Sequence, residues 1–197
     1  PEQKGYEGFP YSICASVNDE ICHGFPGEYV LKDGDIITVD MVVNYNDWLA
    51  DSAWSYEVGD VSDDAKNLLK ITRESMYKGI EKAVLGNRLG DISHAVQEHA
   101  ESNGYSVVRE FVGHGIGREM HEDPQVLHYG KAGRGVRLQE GMVFTVEPMI
   151  NMGKKELKID SNGWTARTLD GSLSAQYEHQ IAITSNGPII ITDQGDC

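Results

Sequence analysis

The sequence predicts an α+β fold. Strand-like runs fill the first third, two segments with helical periodicity follow, and strand-like runs return for the rest of the chain. Strands and helices are therefore segregated, whereas a doubly wound sheet would alternate them. The length of 197 residues suits one sizeable domain.

Residues 11–23 read as extended, with Cys14, Ala15 and Val17 ahead of the turn signal NDE. Residues 35–45 and 48–56 form a hairpin. Ser62 can then cap a helix, with Asp63 and Asp64 in the first turn, where carboxylates suit the helix dipole. Leu68, Leu69, Thr72, Met76, Ile80 and Val84 keep helical spacing until Gly86 ends the run. A second helix, about 90–103, turns Ile92, Ala95, Val96 and Ala100 inward and stops at Asn103-Gly104. Residues 105–112 return to strand, and a glycine-rich segment occupies 113–135. Further strands are expected at about 142–150, 164–168, 175–184 and 188–192.

Composition removes several classes of function. No apolar run approaches the ~18 residues needed to span a membrane, and no N-terminal signal pattern is present. With 31 acids against 17 bases the net charge is −14, which would repel nucleic acid. Cys14, Cys22 and Cys197 form no CxxC knuckle and read as reduced thiols of a cytoplasmic protein. The sequence opens at Pro1 with loop-like residues, which reads as an N-terminally incomplete chain, and 1–197 is expected to be a single catalytic domain.

The chemistry is carried by acids placed inside apolar strands. In the hairpin VDMVVNYNDWLADSAW, a two-residue loop at Tyr45-Asn46 pairs Asn44 with Asp47, Val42 with Leu49, and Asp40 with Asp51. The two aspartates then face each other at about 5 Å, where full charges repel by roughly 3 kcal/mol at an effective dielectric of about 20. The opposite face, Ile37, Val39, Met41 and Val43 with Trp48, Ala50 and Trp54, is expected to pack on the helices. Two more acids, Glu147 in MVFTVEPMI and Glu178 in SAQYEHQIAIT, sit in strands whose alternate residues are apolar: Phe144, Val146 and Ile150 in one, Tyr177, Ile181 and Ile183 in the other. Four such acids converge most simply on divalent cations. Nitrogen ligands should come from FVGHGIGREMHEDP, which supplies His114 and His121, and whose glycines let backbone approach a ligand. A carboxylate–imidazole set favours Mn, Fe, Co or Zn over a thiolate-selected metal.

Taken together, NDEICHGFP, TVDMVV, ADSAW, VGHGIGREMHEDPQV, GMVFTVEPMI and GWTARTLDGSLSAQYEHQIAIT resemble the type I methionine aminopeptidases, in order and spacing, from about Tyr6 to about Ile191. The resemblance implies the pita-bread fold, a curved antiparallel sheet backed by helices, in which two similar halves enclose two divalent ions. It implies five ligands: Asp51 and Glu178 bridging the ions, Asp40 on one, and His114 with Glu147 on the other. It further implies Glu147 as the proton acceptor, His121 as stabiliser of the tetrahedral intermediate, and His23 as a contact near the scissile amide. The methionine pocket would use Tyr6, Phe9, Cys14 and Trp164, which suit a polarizable thioether. Met120 stands where relatives often carry an aromatic, which would reshape that pocket. About fifty further residues usually precede this point in the family, including a helix over the outer sheet.

The implied reaction is removal of the initiator methionine from nascent chains by a cytoplasmic monomer that meets the ribosome and binds neither membrane nor nucleic acid directly. A proline-directed aminopeptidase of the same fold is the alternative, against which NDEICHGFP and LSAQYEH argue. A pita-bread binding protein without catalysis is the remote one, and such proteins lack the ligands retained here.

Overall fold

A computed structural model describes residues 1–193 and 195. In chain order the strands and helices are β1 (Cys14–Val17), β2 (Glu20–Cys22), β3 (Ile36–Tyr45), β4 (Trp48–Glu57), α1 (Asp63–Ile80), α2 (Leu89–Ser102), β5 (Ser106–Val107), β6 (Gly113–Gly115) and β7 (Glu122–Val126). They continue with β8 (Val143–Val146), β9 (Met149–Asn151), β10 (Leu157–Ile159), β11 (Ala166–Thr168), β12 (Ser174–Gln176), β13 (His179–Thr184) and β14 (Gly187–Ile190). The segregated order of an α+β fold is the one observed.

The helices follow their sequence signals. Ser62 Oγ accepts a hydrogen bond from the Ala65 N–H at 3.2 Å, with Asp63 and Asp64 in the first turn. Leu68, Leu69, Met76 and Ile80 of α1 share one core with Ile92 and Ala100 of α2. Gly79 permits the close crossing: a Cβ there would stand 2.7 Å from Val96 Cγ2. α1 stops at Ile80, earlier than Gly86, so Val84 lies past its end, and Ala95 is only half-buried. α2 stops at Ser102, and Gly104 takes the left-handed conformation (φ 87°) that a helix exit favours.

The hairpin departs from its expected register. Its tip is Asn46-Asp47, with φ of 52° and 62°, so Val42 pairs with Asp51 and Asp40 with Ala53. A tip at Tyr45-Asn46 would force an aromatic residue into the left-handed region, whereas Asn and Asp tolerate it. Asp40 and Asp51 are consequently diagonal neighbours on one face rather than directly opposed. The inward face is also reversed. Ile36, Thr38, Val42, Leu49, Asp51, Ala53 and Ser55 are buried, while Met41, Val43, Trp48 and Tyr56 are exposed. Thr38 Oγ1 and Ser55 Oγ bond each other at 2.7 Å, and Ser55 Oγ donates to the Gln176 carbonyl, so these two inner-face hydroxyls are satisfied. Of the outer face, Trp54 is covered in part, edge-on to Tyr177 at 4.8 Å.

Among the described residues the strands form four sheets, the first of which contains the hairpin: β1-β3-β4, β10-β11-β2, β12-β9-β5 and β14-β13-β8-β6-β7. The long strands expected over 142–150 and 175–184 are each broken. β8 gives way to β9 across Glu147-Pro148, and β12 to β13 across Tyr177-Glu178. Val146 pairs with His179 on one side of the break and Met149 with Gln176 on the other, so both interruptions fall at one level. Phe144, Val146, Ile150, Tyr177, Ile181 and Ile183 are buried in the main core as their alternation requires. The strand expected over 105–112 contracts to two residues, the glycine-rich segment contains β6 and β7, and β10 has no counterpart among the expected strands.

Candidate active site

Five side chains meet between the hairpin and the two strand breaks. One donor atom each from Asp51 on β4, His114 on β6 and Glu178 at the second break lie within 4.8 Å of one another. His114 Nε2 is 3.7 Å from Asp51 Oδ2 and 3.5 Å from Glu147 Oε1. Asp40 on β3 lines the same cavity, and its Oδ1 accepts a bond from Gln3 Nε2 at 3.2 Å. Asp51, Glu147, Glu178 and His114 are buried; Asp40 is half-buried as a whole residue, with its carboxyl group enclosed by protein.

Burial makes this cluster costly for its own charge. It pushes the Asp40 carboxyl up to about 7 and that of Glu147 up to about 8, and a neighbouring carboxylate adds to the effect on Glu147. Asp51 and Glu178 are driven well above the carboxylate range by burial first and by the other acids second. His114 is lowered to about 4, chiefly by burial, so its imidazole is neutral. Its Nδ1 sits 3.0 Å from the Gly115 carbonyl, a contact only an N–H can make, which leaves the Nε2 lone pair facing the acids. Asp51 Oδ1 and Glu178 Oε1 are buried with no hydrogen-bond partner among the described residues. Orphaned carboxylate oxygens beside a free imidazole lone pair are a donor set that divalent cations satisfy.

The surrounding strands hold these groups by bonds that sequence reading missed. Thr145 Oγ1 accepts the His114 N–H at 3.0 Å and donates to Glu147 Oε1 at 2.6 Å. The Glu147 N–H, beyond the end of the β8 ladder, donates to His128 Nε2 at 3.0 Å. Gln180 Oε1 accepts the Asp51 N–H at 3.0 Å, and the Glu178 N–H donates to the Ala53 carbonyl at 2.8 Å. Thr145 lies two residues before Glu147 and Gln180 two after Glu178, a spacing that shares a strand face and could have flagged them. The glycines around His114 serve these contacts and not a ligand: a Cβ on Gly113 would stand 2.5 Å from the Thr145 carbonyl, and one on Gly115 2.3 Å from that of Asp123.

A cavity of about 200 Å³ opens on the cluster and is lined by the four acids and the imidazole named above, together with His23, His121, Tyr6, Phe9, Cys14 and Trp164. Phe9 meets Trp164 edge-on at 5.2 Å, and His23 meets Phe111 at 5.3 Å. His23 holds a positive φ of 55°, a conformation that costs a non-glycine residue energy and concentrates at functional sites. Burial lowers it to about 4. His121, more exposed, stacks its edge on His114 with ring centres 4.3 Å apart. Cys14 and Cys22 are buried free thiols, with burial the main force raising the Cys14 thiol, and Cys197 lies outside the described residues. Met120 is buried beside Val42, Leu49 and Ile116 and lines the cavity, as do Gln3, Phe111 and Met149, three residues the sequence did not single out.

An α+β chain that gathers buried carboxylates and a histidine around such a cavity has the construction of a metallopeptidase. The profile described as metallopeptidase family M24 matches residues 2–185, and the chain belongs to that family, among its type I methionine aminopeptidases of pita-bread fold. It is 54% identical over 193 residues to the methionine aminopeptidase of Clostridium acetobutylicum, covering 98% of this chain and 77% of the relative. The crystal structure of the methionine aminopeptidase from Rickettsia prowazekii superposes with a TM-score of 0.97 at 48% identity, over 98% of this chain and 78% of that one. The X-Pro aminopeptidase from Thermotoga maritima shares the fold alone, with a TM-score of 0.74 at 22% identity over 95% of this chain and 48% of that one.

Proposed function

We propose that the chain removes N-terminal methionine from peptides by metal-dependent hydrolysis. One observation carries the reading: Asp51 and Glu178, each with an orphaned carboxylate oxygen, line the same cavity as an apolar, sulfur-containing wall of Phe9, Cys14, Met149 and Trp164. Two divalent ions, of Mn, Fe, Co or Zn, would be held by Asp40, Asp51, His114, Glu147 and Glu178. Bound cations supply Lewis-acid polarisation of the carbonyl and ease the ionisation of water. Glu147 takes the proton of the attacking water and returns it to the leaving amine. His121 donates to the carbonyl oxygen as it gains charge, and His23 contacts the substrate beside the scissile amide. Tyr6, Phe9, Cys14 and Trp164 receive the methionine side chain, with Met120 reshaping the wall. Residues 1–197 act as one catalytic domain, monomeric and cytoplasmic, on nascent chains emerging from the ribosome.

The methionine reading is favoured over the proline-directed one because the X-Pro enzyme shares only the fold, whereas methionine aminopeptidases match at about half of all positions. The test compares release of methionine from Met-Ala-Ser with cleavage of an Xaa-Pro peptide, before and after Asp51→Ala, with metal content measured in each sample. Methionine release that disappears together with bound metal is the expected result. Full peptidase activity in metal-free Asp51→Ala protein would refute it.

A further inference from the structure

Tyr6 does more than wall the pocket. It lies in the short 3₁₀ turn Tyr6–Gly8, flanked by Gly5 (φ 94°) and Glu7 (φ 45°) and closed by the Phe9 N–H to the Tyr6 carbonyl at 2.8 Å. Its ring packs against the cluster of Val42, Leu49, Ile116 and Met120, while its hydroxyl reaches His121 Nδ1 at 2.7 Å. Two arrangements could make that bond: the phenol donates to a bare nitrogen, or an Nδ1–H donates to the phenol oxygen. A phenol O–H is the stronger donor and an imidazole lone pair the stronger acceptor, and 2.7 Å is the usual length of a bond donated by a hydroxyl.

We infer that the Tyr6 hydroxyl donates to His121 Nδ1 and thereby fixes the imidazole as the tautomer whose Nε2–H is free to donate into the cavity. Tyr6 is then a positioning residue acting through His121. This rests on the role given to His121 under the proposed function, because a neutral ring can donate there to a carbonyl oxygen only with its proton on Nε2. The turn at Gly5 and Glu7 aims the phenol, so the N-terminal segment takes part in the chemistry as well as in the pocket wall.

The test has two parts. In the ¹⁵N spectrum of the neutral His121 ring, read on the wild-type chain without peptide or metal, the expected pattern is an unprotonated Nδ1 and a protonated Nε2. An Nδ1-protonated ring would overturn the inference whatever the fate of the peptidase reading. In kinetics on the metal-loaded chain, Tyr6→Phe keeps the ring and is expected to lower kcat about tenfold with KM nearly unchanged, the equivalent of one hydrogen bond. In a His121→Ala background the same change should cost nothing more. Equal losses in both backgrounds would show that Tyr6 does not act through His121. A His121→Ala chain with undiminished turnover would remove the catalytic role of His121, and with it that of Tyr6, while the spectrum still decides the bond.

Discussion

At the scale of single residues, Glu147 is constrained at both ends. Thr145 donates to its carboxylate and His128 accepts its backbone N–H, so the side chain is aimed at His114 Nε2 by bonds that bring no charge of their own. Thr145 has its oxygen occupied by the His114 N–H, and its single proton must go to Glu147. Glu147→Gln preserves this frame, since an amide oxygen accepts from Thr145 as well as a carboxylate does, yet an amide cannot take up a proton from water. Turnover per bound metal ion should therefore fall by about a hundredfold or more, with metal content reduced far less. Metal analysis paired with Met-Ala-Ser kinetics on the same samples checks this. Equal activity per bound ion would discount the proton-transfer role.

At the scale of elements, what was legible is what local chemistry decides. The cap at Ser62 and the period from Leu68 to Ile80 depend on neighbours within a turn or two, and α1 begins where they place it. The hairpin was legible as a hairpin, and its acids share a face, but its register turned on whether Tyr45 or Asp47 takes a positive φ. Which face points inward was illegible, because the Asp51 N–H and the Ser55 hydroxyl on the inner side find their partners in Gln180 and Gln176, far along the chain. The breaks at Glu147 and Tyr177-Glu178 were also hidden, since the apolar alternation runs through them and only the change of sheet reveals them. The four acids were legible as candidate ligands because they sit inside apolar strands, motif likeness chose His114 over His121 as the fifth, and the bonds orienting them emerged only through the fold. The turn offers a direct test of how register feeds the site. Asp47→Val places a β-branched residue at φ 62° and should cost about 1–2 kcal/mol, whereas Asp47→Gly should be neutral or mildly stabilising. Because Asp51 stands four residues beyond the tip, the valine variant should also bind metal more weakly, and the glycine variant should not. Thermal melts and a metal titration of both variants decide it, and undiminished metal affinity in a destabilised valine variant would uncouple turn from site.

At the scale of the whole molecule, the buried acids set how stability responds to pH and to metal. In the folded chain burial raises Asp40 to about 7 and Glu147 to about 8, with Asp51 and Glu178 also driven well upward, while in the unfolded chain such groups ionise near pH 4. Between those limits the folded state holds more protons than the unfolded one, so stability falls as pH rises. The buried histidines act in the opposite sense. His23 and His114 are lowered to about 4 and His128 to about 3, each chiefly by burial, against about 6.5 when unfolded. Below pH of about 6.5 the unfolded chain binds the extra protons, and stability rises with pH. The two trends oppose each other from about pH 4 to 6.5, and above that only the carboxylates remain in play. A chelated sample should therefore lose thermal stability steadily between about pH 6.5 and 8. Divalent metal should flatten that loss, because cations favour the ionised carboxylates that burial alone disfavours, and binding to the folded state adds stability of its own. Calorimetric melting temperatures at the two pH values, with chelator and with Mn or Co, check both statements. A chelated chain that melts no lower at pH 8 than at pH 6.5 would mean that these carboxyls find compensation within the protein, and the need for cations in the cavity would lose its physical basis.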